Sequence, residues 1–297
     1  MTEPMLDKKP YLVALDSDGS VFPNMPLKYE AMRDSLIENF GWQEISPAVE
    51  EVVRFFNLQS RWRGSHRLLA LLQIVDALRA HPDVQRAHVT IPRLEALRQY
   101  VAEGRPLSHA GLEGALAERN DPELRRVLEW SKDLSERLAR LPPVRPVPEV
   151  LTALSRLATE AVWVVVSQAP EEQLRREWSS AGLAGFVDRI QGAEFGPKDS
   201  QVRHAMAEWG IMPDQTLVIG DSVGDLEAAR VVGAAFYPIL PDREAESWRL
   251  LLTEVWPAFR DGRYRGAMEK EMAQQLLAAL PETPPWAEQS AGNLSSR

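Results

Sequence analysis

The sequence predicts an α/β protein in which a parallel, Rossmann-like sheet is interrupted after its first strand by an all-helical insert. After residue 148, continuous apolar runs alternate with amphipathic helical patterns, which is typical of βαβ units with both sheet faces covered. A run of the same kind, residues 11–15, stands roughly a hundred residues earlier, and the pattern between is helical almost throughout. The economical interpretation is one α/β domain whose first strand is separated from the rest.

The individual elements follow from periodicity and from helix breakers. After the first strand, helical patterns are predicted at 28–40, 47–58, 65–78, 92–102, 108–119 and 121–140. The segment LPPVRPVP, residues 141–148, has four prolines in eight residues, so it ends the insert. Beyond it, strands are predicted at 161–167, 188–191, 216–221 and 234–240, with helices between them at 149–158, 171–178, 199–209 and 222–232.

These boundaries divide the chain into three parts. Residues 1–23 and 146–242 form the predicted α/β core, and residues 24–145 form the helical domain inserted in it. Residues 243–297 form a C-terminal extension, which we expect to be helical to about Leu280 and loose from Pro281 onward.

Composition limits the partners and the chemistry. The formal net charge is -9, and so acidic a surface repels nucleic-acid phosphates and anionic lipids. The chain contains no cysteine, which excludes disulfides, zinc–thiolate sites and cysteine nucleophiles. The apolar run near the N-terminus has five residues, too few for a signal-peptide core or a membrane span. We therefore expect a cytoplasmic protein without nucleic-acid or membrane partners, and we leave its oligomeric state open.

Acidic side chains follow two of the predicted strands. Asp16 and Asp18 come directly after the first strand, in YLVALDSDGSVF. Asp221 ends the strand TLVIGD, and Asp225 follows four residues later near the start of a helix. Because ligands bind at the carboxyl ends of strands in open parallel sheets, we expect these four carboxylates to meet at one edge.

Two candidate donors for a phosphoryl group accompany the acids. Ser167 ends the strand AVWVVV, and Lys198, the only lysine between residues 132 and 270, stands near a predicted helix start. Crowded carboxylates raise one another's pKa unless a cation neutralises them, and hard oxygen ligands suit Mg²⁺. Hydroxyl, ammonium and helix N-terminal groups bind phosphate, and an aspartate in line with it attacks to form an acyl phosphate.

Two simpler interpretations of DSDGS are a calcium loop and an ordinary turn. An EF-hand loop beginning at Asp16 needs glycine at its sixth position and glutamate at its twelfth, where the chain has Val21 and Leu27. A bare turn leaves Asp221 and Asp225 unexplained.

DSDGSVF, VVVS, the isolated Lys198 and VIGDSVGDLEAA resemble the four sequence motifs of the haloacid-dehalogenase-like (HAD) hydrolase superfamily. They stand in that family's order, with 31 residues from Ser167 to Lys198 and 23 more to Asp221. The resemblance covers about residues 10–23 and 146–240, and the helical insert is similar to the family's C1-type cap. It implies a Mg²⁺-dependent phosphatase that hydrolyses a small phosphorylated metabolite through an aspartyl-phosphate intermediate.

The resemblance also implies a role for each motif residue. Asp16 is the expected nucleophile and a Mg²⁺ ligand. Asp18 is the expected general acid and base, and its backbone carbonyl is expected to bind the metal. Ser167 and Lys198 are expected to hold the transferring phosphoryl group.

The remaining motif residues, Asp221 and Asp225, are expected to bind Mg²⁺ and to support its ligands, respectively. A sugar phosphomutase would share every core residue, and a non-catalytic binding protein could keep the same fold. Dehalogenation is disfavoured because that branch lacks an aspartate at the place of Asp18. Phosphonatase-like chemistry is disfavoured because those relatives lack that acid too and use a cap lysine, whereas Lys28 and Lys132 are poorly placed.

Three arginines in the insert, Arg61, Arg63 and Arg67, surround Gly64 in QSRWRGSHRLLALL. In C1-capped relatives a loop between cap helices closes over the site and contacts the substrate. The arginines are therefore candidates for binding an anionic or polar leaving group, and the alternative is a solvated basic face on an acidic protein.

Overall fold

A parallel sheet of five strands is the centre of the first of two compact units. The computed structural model describes residues 9–286. The strands are Tyr11–Leu15 (β1), Ala161–Val166 (β2), Arg189–Gln191 (β3), Thr216–Gly220 (β4) and Ala235–Pro238 (β5). They pair in the order β3-β2-β1-β4-β5, all parallel. The predicted Rossmann-like α/β class is confirmed, and β1 lies at the middle of the sheet because both β2 and β4 pair with it.

Within the described residues, the second unit contains residues 25–142 and 280–286. Its seven α-helices are Met25–Phe40 (α1), Ser46–Arg54 (α2), Arg67–Ala80 (α3), Pro82–Ala87 (α4), Glu95–Ala102 (α5), His109–Glu118 (α6) and Pro122–Ala139 (α7). A π-helical turn, Phe55–Gln59, continues α2. The unit has a hydrophobic core of its own, in which residues such as Leu36, Val49, Leu71 and Trp130 are inaccessible to solvent. An all-helical body is thus inserted after β1.

The remaining helices belong to the sheet unit, which comprises residues 9–24 and 143–279 of the described chain. They are Pro148–Leu157 (α8), Glu171–Ser180 (α9), Lys198–Trp209 (α10), Val223–Val232 (α11), Glu244–Leu250 (α12), Trp256–Arg260 (α13) and Ala267–Ala279 (α14). A π-helical turn, Leu251–Val255, joins α12 to α13. Trp248, Val255 and Trp256 pack in the same core as the buried face of β1 and β2. Most of the helical C-terminal extension therefore covers the sheet.

The end of the described chain departs from the loose tail expected from Pro281. The Arg61 amide donates to the Pro281 carbonyl, and Trp286 is only 4% exposed. The Trp286 ring lies 5.4 Å from Phe55 and 5.6 Å from His81. Burial of a large aromatic ring fixes this segment in the helical unit as far as residue 286. The rest of the expected tail, residues 287–297, lies outside the described residues.

Candidate active site

The carboxyl end of β1 places two aspartates in different environments. The Asp16 amide donates to the Ile219 carbonyl at 2.9 Å, which continues the pairing of β1 with β4 and fixes the Asp16 backbone. The Asp16 side chain is buried, whereas Asp18 is partly exposed. Gly19 supplies the positive φ of 77° with which the chain turns after them. The amide of buried Asn24 donates to Asp18 Oδ1 at 2.6 Å, so the Asp18 carboxyl group is held in place by a neighbour that the sequence did not single out.

The carboxyl end of β4 supplies the second pair of aspartates. Asp221 and Asp225 are both buried, at 2% and 0% exposure. Ser222 caps α11 through a capping box: its hydroxyl accepts from the Asp225 amide, while Asp225 Oδ2 accepts from the Ser222 amide and hydroxyl. A Cβ at Gly220 would collide with the Asp225 carboxyl group, so the glycine makes room for this arrangement.

Lys198 joins the two pairs of aspartates. It is the first residue of α10, and its ammonium nitrogen lies 2.9 Å from Asp16 Oδ1 and 2.6 Å from Asp225 Oδ1. Burial acts to lower the pKa of Lys198, but the Asp16 and Asp225 carboxylates outweigh it and hold the pKa above its ordinary value. Lys198 is therefore a charged ammonium at the meeting point of β1 and α11.

The buried carboxylates are suitable ligands for a divalent cation. Oxygens of Asp16, Asp221 and Asp225 lie within 4.8 Å of one another. Burial raises the pKa of Asp16 well above its ordinary value; Lys198 opposes this rise, and Asp225 and Asp221 add to it. One ammonium thus faces three buried carboxylates, an arrangement that a further cation would relieve. Because all the candidate ligands are hard oxygens, the donor set suits Mg²⁺ and not a metal that needs thiolate or imidazole.

Ser167 directly follows β2 and is also buried. Its hydroxyl oxygen accepts from the Ala169 amide at 3.2 Å, which leaves the hydroxyl proton for a ligand. Its backbone N–H and C=O both bond to the side-chain amide of Gln201, each at 2.9 Å. Sequence reasoning missed Gln201. The available signal was a polar residue on the apolar stripe of α10, next to Val202 and one turn before Ala205.

The three candidate arginines lie in the helical unit, and their contacts differ. The Arg61 guanidinium pairs with Glu282, and Arg63 is buried and donates to the Leu58 carbonyl. Arg67 Nη1 donates to the Ser131 carbonyl and to Ser135 Oγ at 2.6 Å. Within residues 9–286, no carboxylate lies within 4.0 Å of the Arg67 guanidinium, and burial lowers its pKa from the ordinary value. Among the described residues, Arg67 therefore differs from Arg61 in having no carboxylate partner.

Comparisons with known proteins bear on the family and the fold of the chain. No helix within the part of the chain described by the structure has the length and apolarity needed to cross a membrane. No match to a curated protein is significant. A predicted phosphoglycolate phosphatase from Haemophilus somnus 129pt is a similar solved structure (TM-score 0.50, 15% identity, 81% of this chain and 92% of that chain covered). A candidate phosphoglycolate phosphatase from Lactobacillus delbrueckii subsp. bulgaricus is another (TM-score 0.50, 19% identity, 77% of this chain and 86% of that chain covered).

A candidate haloacid dehalogenase-like hydrolase from Bacteroides fragilis is similar to the same extent (TM-score 0.51, 14% identity, 80% of this chain and 93% of that chain covered). At these identities the likeness shows the fold. The family is shown by the sequence model of the haloacid dehalogenase-like hydrolases, which matches residues 12–233 and so spans all four motifs. The expected family is confirmed: the chain belongs to the haloacid dehalogenase-like hydrolases.

Proposed function

We propose that the protein is a Mg²⁺-dependent phosphatase that hydrolyses a small phosphorylated metabolite through an aspartyl-phosphate intermediate. The observation that carries the proposal is the buried Asp16 carboxylate, which shares the Lys198 ammonium with Asp225 at the carboxyl edge of the sheet. A nucleophilic carboxylate must be ionised and must tolerate an approaching dianion. The nearby ammonium, and a cation held by Asp16, Asp221 and the Asp18 carbonyl, meet both needs.

Each residue has a defined part in the proposed reaction. An Asp16 oxygen attacks phosphorus, and the bond from phosphorus to the leaving oxygen breaks. Asp18 gives its proton to that oxygen. The Asp18 carboxylate then takes a proton from water, whose oxygen attacks the aspartyl phosphate and releases phosphate and Asp16. The Ser167 hydroxyl and the Lys198 ammonium bind the phosphoryl oxygens, and bound Mg²⁺ supplies further positive charge to neutralise them.

A phosphomutase is the alternative with the same core residues, and product analysis separates the two. A panel of phosphorylated metabolites is incubated with wild-type protein and with Asp16→Asn, in Mg²⁺ and in EDTA. We expect Mg²⁺-dependent release of inorganic phosphate that falls by orders of magnitude in Asp16→Asn, because the amide cannot act as the nucleophile. An isomerised sugar phosphate with little free phosphate would identify a mutase. Absence of turnover on every ester would favour a non-catalytic binding protein.

We further propose that residues 24–145 act as a C1-type cap and that Arg67 binds the leaving group of the substrate. Among the three arginines, Arg67 has its Nη1 fixed by Ser131 and Ser135 but no carboxylate partner among residues 9–286. A planar guanidinium that is held in place but lacks a carboxylate partner is suited to bidentate contact with a carboxylate or a second phosphate of a ligand. The substrate class expected on this basis is a phosphomonoester that carries another anionic group.

A further inference from the structure

Gln201 is a fully buried residue on α10, three positions after Lys198, whose side chain bonds only to backbone. Its Oε1 accepts from the Ser167 amide, and its Nε2 donates to the Ser167 and Gly196 carbonyls, all at 2.9 Å. The carbonyl and both protons of the side-chain amide are thus used, which offsets the cost of burying it.

The bonds of Gln201 fix Ser167 where the sheet ends. The Ser167 amide also donates to the carbonyl of Gln191, the last residue of β3, at 3.2 Å. The Ser167 carbonyl lies beyond the last hydrogen bond between β2 and β3. Gln201 Nε2 donates to it, as the backbone amide of a further β3 residue would in a longer strand. With the backbone held on this side, and Oγ accepting from the Ala169 amide, the position of the Ser167 hydroxyl oxygen is fixed.

The third bond reaches the turn that leads into α10. Gly196, with a positive φ of 90°, precedes Pro197 and Lys198, and its carbonyl also accepts from Gln168 Nε2 at 3.2 Å. One side chain therefore connects the segment that carries the Ser167 hydroxyl to the segment that carries the Lys198 ammonium. A side chain with two donors and one acceptor is needed for all three bonds, and among similar shapes glutamine alone offers them.

We infer that Gln201 is a positioning residue that sets the spacing between the Ser167 and Lys198 donors and thereby the affinity of the site for the phosphoryl group. The inference rests on the proposed phosphatase function, because it concerns the same site. A purely structural role is the competing explanation. It predicts a loss of stability without a change in phosphate affinity, whereas a positioning role predicts weaker binding in the protein that remains folded.

Gln201→Met keeps the side-chain length and removes all three hydrogen bonds, and Gln201→Glu keeps an acceptor but loses both donors. The matched control is Thr216→Val, which removes the hydrogen bond of 2.9 Å that the buried Thr216 hydroxyl donates to the Met212 carbonyl at the amino end of β4. Gln168→Ala is a milder variant that removes only the outer bond to Gly196. For each variant, kcat, KM, the inhibition constant of inorganic phosphate and the thermal shift produced by phosphate are measured with p-nitrophenyl phosphate as substrate and saturating Mg²⁺.

We expect both Gln201 variants to raise KM and the phosphate inhibition constant by about tenfold or more, since each removes the donor to the buried Ser167 carbonyl and the link between the Ser167 and Gly196 segments. Thr216→Val should lower the Tm yet leave the inhibition constant within about twofold, because its hydrogen bond is remote from the site. If the Gln201 variants behave like Thr216→Val, or if Gln201→Glu binds phosphate as wild type does, the positioning role is wrong and the proposed function stands. If wild-type protein neither hydrolyses the ester nor is stabilised by phosphate, both are overturned.

Discussion

The shared Lys198 ammonium should link stability to the proposed chemistry, because substitutions of Lys198 and of Asp16 are expected to change the free energy of unfolding in opposite directions. Lys198→Met removes the ammonium that lies 2.9 Å from Asp16 and 2.6 Å from Asp225. The side chains of Lys198, Asp16 and Asp225 are 11%, 6% and 0% exposed, so solvent screens these buried charges little. Removing one partner of a buried ion pair costs about 3–5 kcal/mol, and we expect the free energy of unfolding to fall by that amount.

Asp16→Asn should have the opposite effect on stability while abolishing turnover. Burial, followed by the Asp225 and Asp221 carboxylates, raises the folded-state pKa of Asp16 against the opposing effect of Lys198. A group with a raised pKa contributes stability at low pH that is lost as pH rises through the folded pKa. At pH 8 without Mg²⁺, the neutral amide should therefore be more stable than the wild-type carboxylate. The difference should shrink as the pH falls towards the ordinary pKa of aspartate.

Urea unfolding in EDTA, followed by tryptophan fluorescence at pH 8 and at lower pH, measures both effects. Lys9→Met is the matched control, since Lys9 pairs with Asp188 at 2.9 Å but the two side chains are 28% and 30% exposed. Such a surface pair contributes about 0–1 kcal/mol. The reasoning is refuted if Lys198→Met costs no more than Lys9→Met, or if Asp16→Asn is less stable than wild type at pH 8 in EDTA.

Three other substitutions test separate parts of the molecule. Arg67→Ala should lower kcat/KM for the natural substrate about ten- to a hundredfold and leave that for p-nitrophenyl phosphate unchanged. Arg61→Ala should change kcat/KM for neither substrate. Equal small effects of the two substitutions would contradict the proposed role of Arg67 in binding the leaving group. Gly220→Ala should lower Mg²⁺-dependent phosphate release by displacing Asp225, and unchanged turnover would show that this position of Asp225 is not needed. Trp286→Ala should lower the free energy of unfolding by about 3–5 kcal/mol, measured by urea titration, and a loss below about 1 kcal/mol would contradict the observed packing.

The strands and the acidic residues at their ends were predictable because both follow from local sequence and one topological rule. β1 and β2 are apolar throughout, as strands of a covered parallel sheet must be. Once these runs are strands, the residue after each one falls on the same edge, which brings Asp16 and Asp221 together without knowledge of the pairing order. The bonds of Lys198 to Asp16 and Asp225 agree with that rule.

The supporting contacts could not be predicted, because they depend on the direction of single side chains in three dimensions. Gln201 and Asn24 are ordinary polar residues in the sequence, and only their burial against Ser167 and Asp18 shows what they do. The ion-pair partners of the arginines could not be predicted from the sequence either. Arg61 and Arg67 are equivalent as charges near Gly64, yet one is paired with Glu282 across a long sequence separation.

The two bonds of Lys198 also bear on the order of events in the proposed reaction. When Asp16 becomes an acyl phosphate it loses its negative charge, and an ammonium held by Asp16 alone would then be free to shift. Asp225 is a second counter-ion at 2.6 Å, and its own position is fixed by the capping box with Ser222 on α11. In the proposed reaction we therefore expect Lys198 to stay beside the phosphoryl oxygens in both halves, because the Asp225 carboxylate that anchors it takes no part in the bond changes.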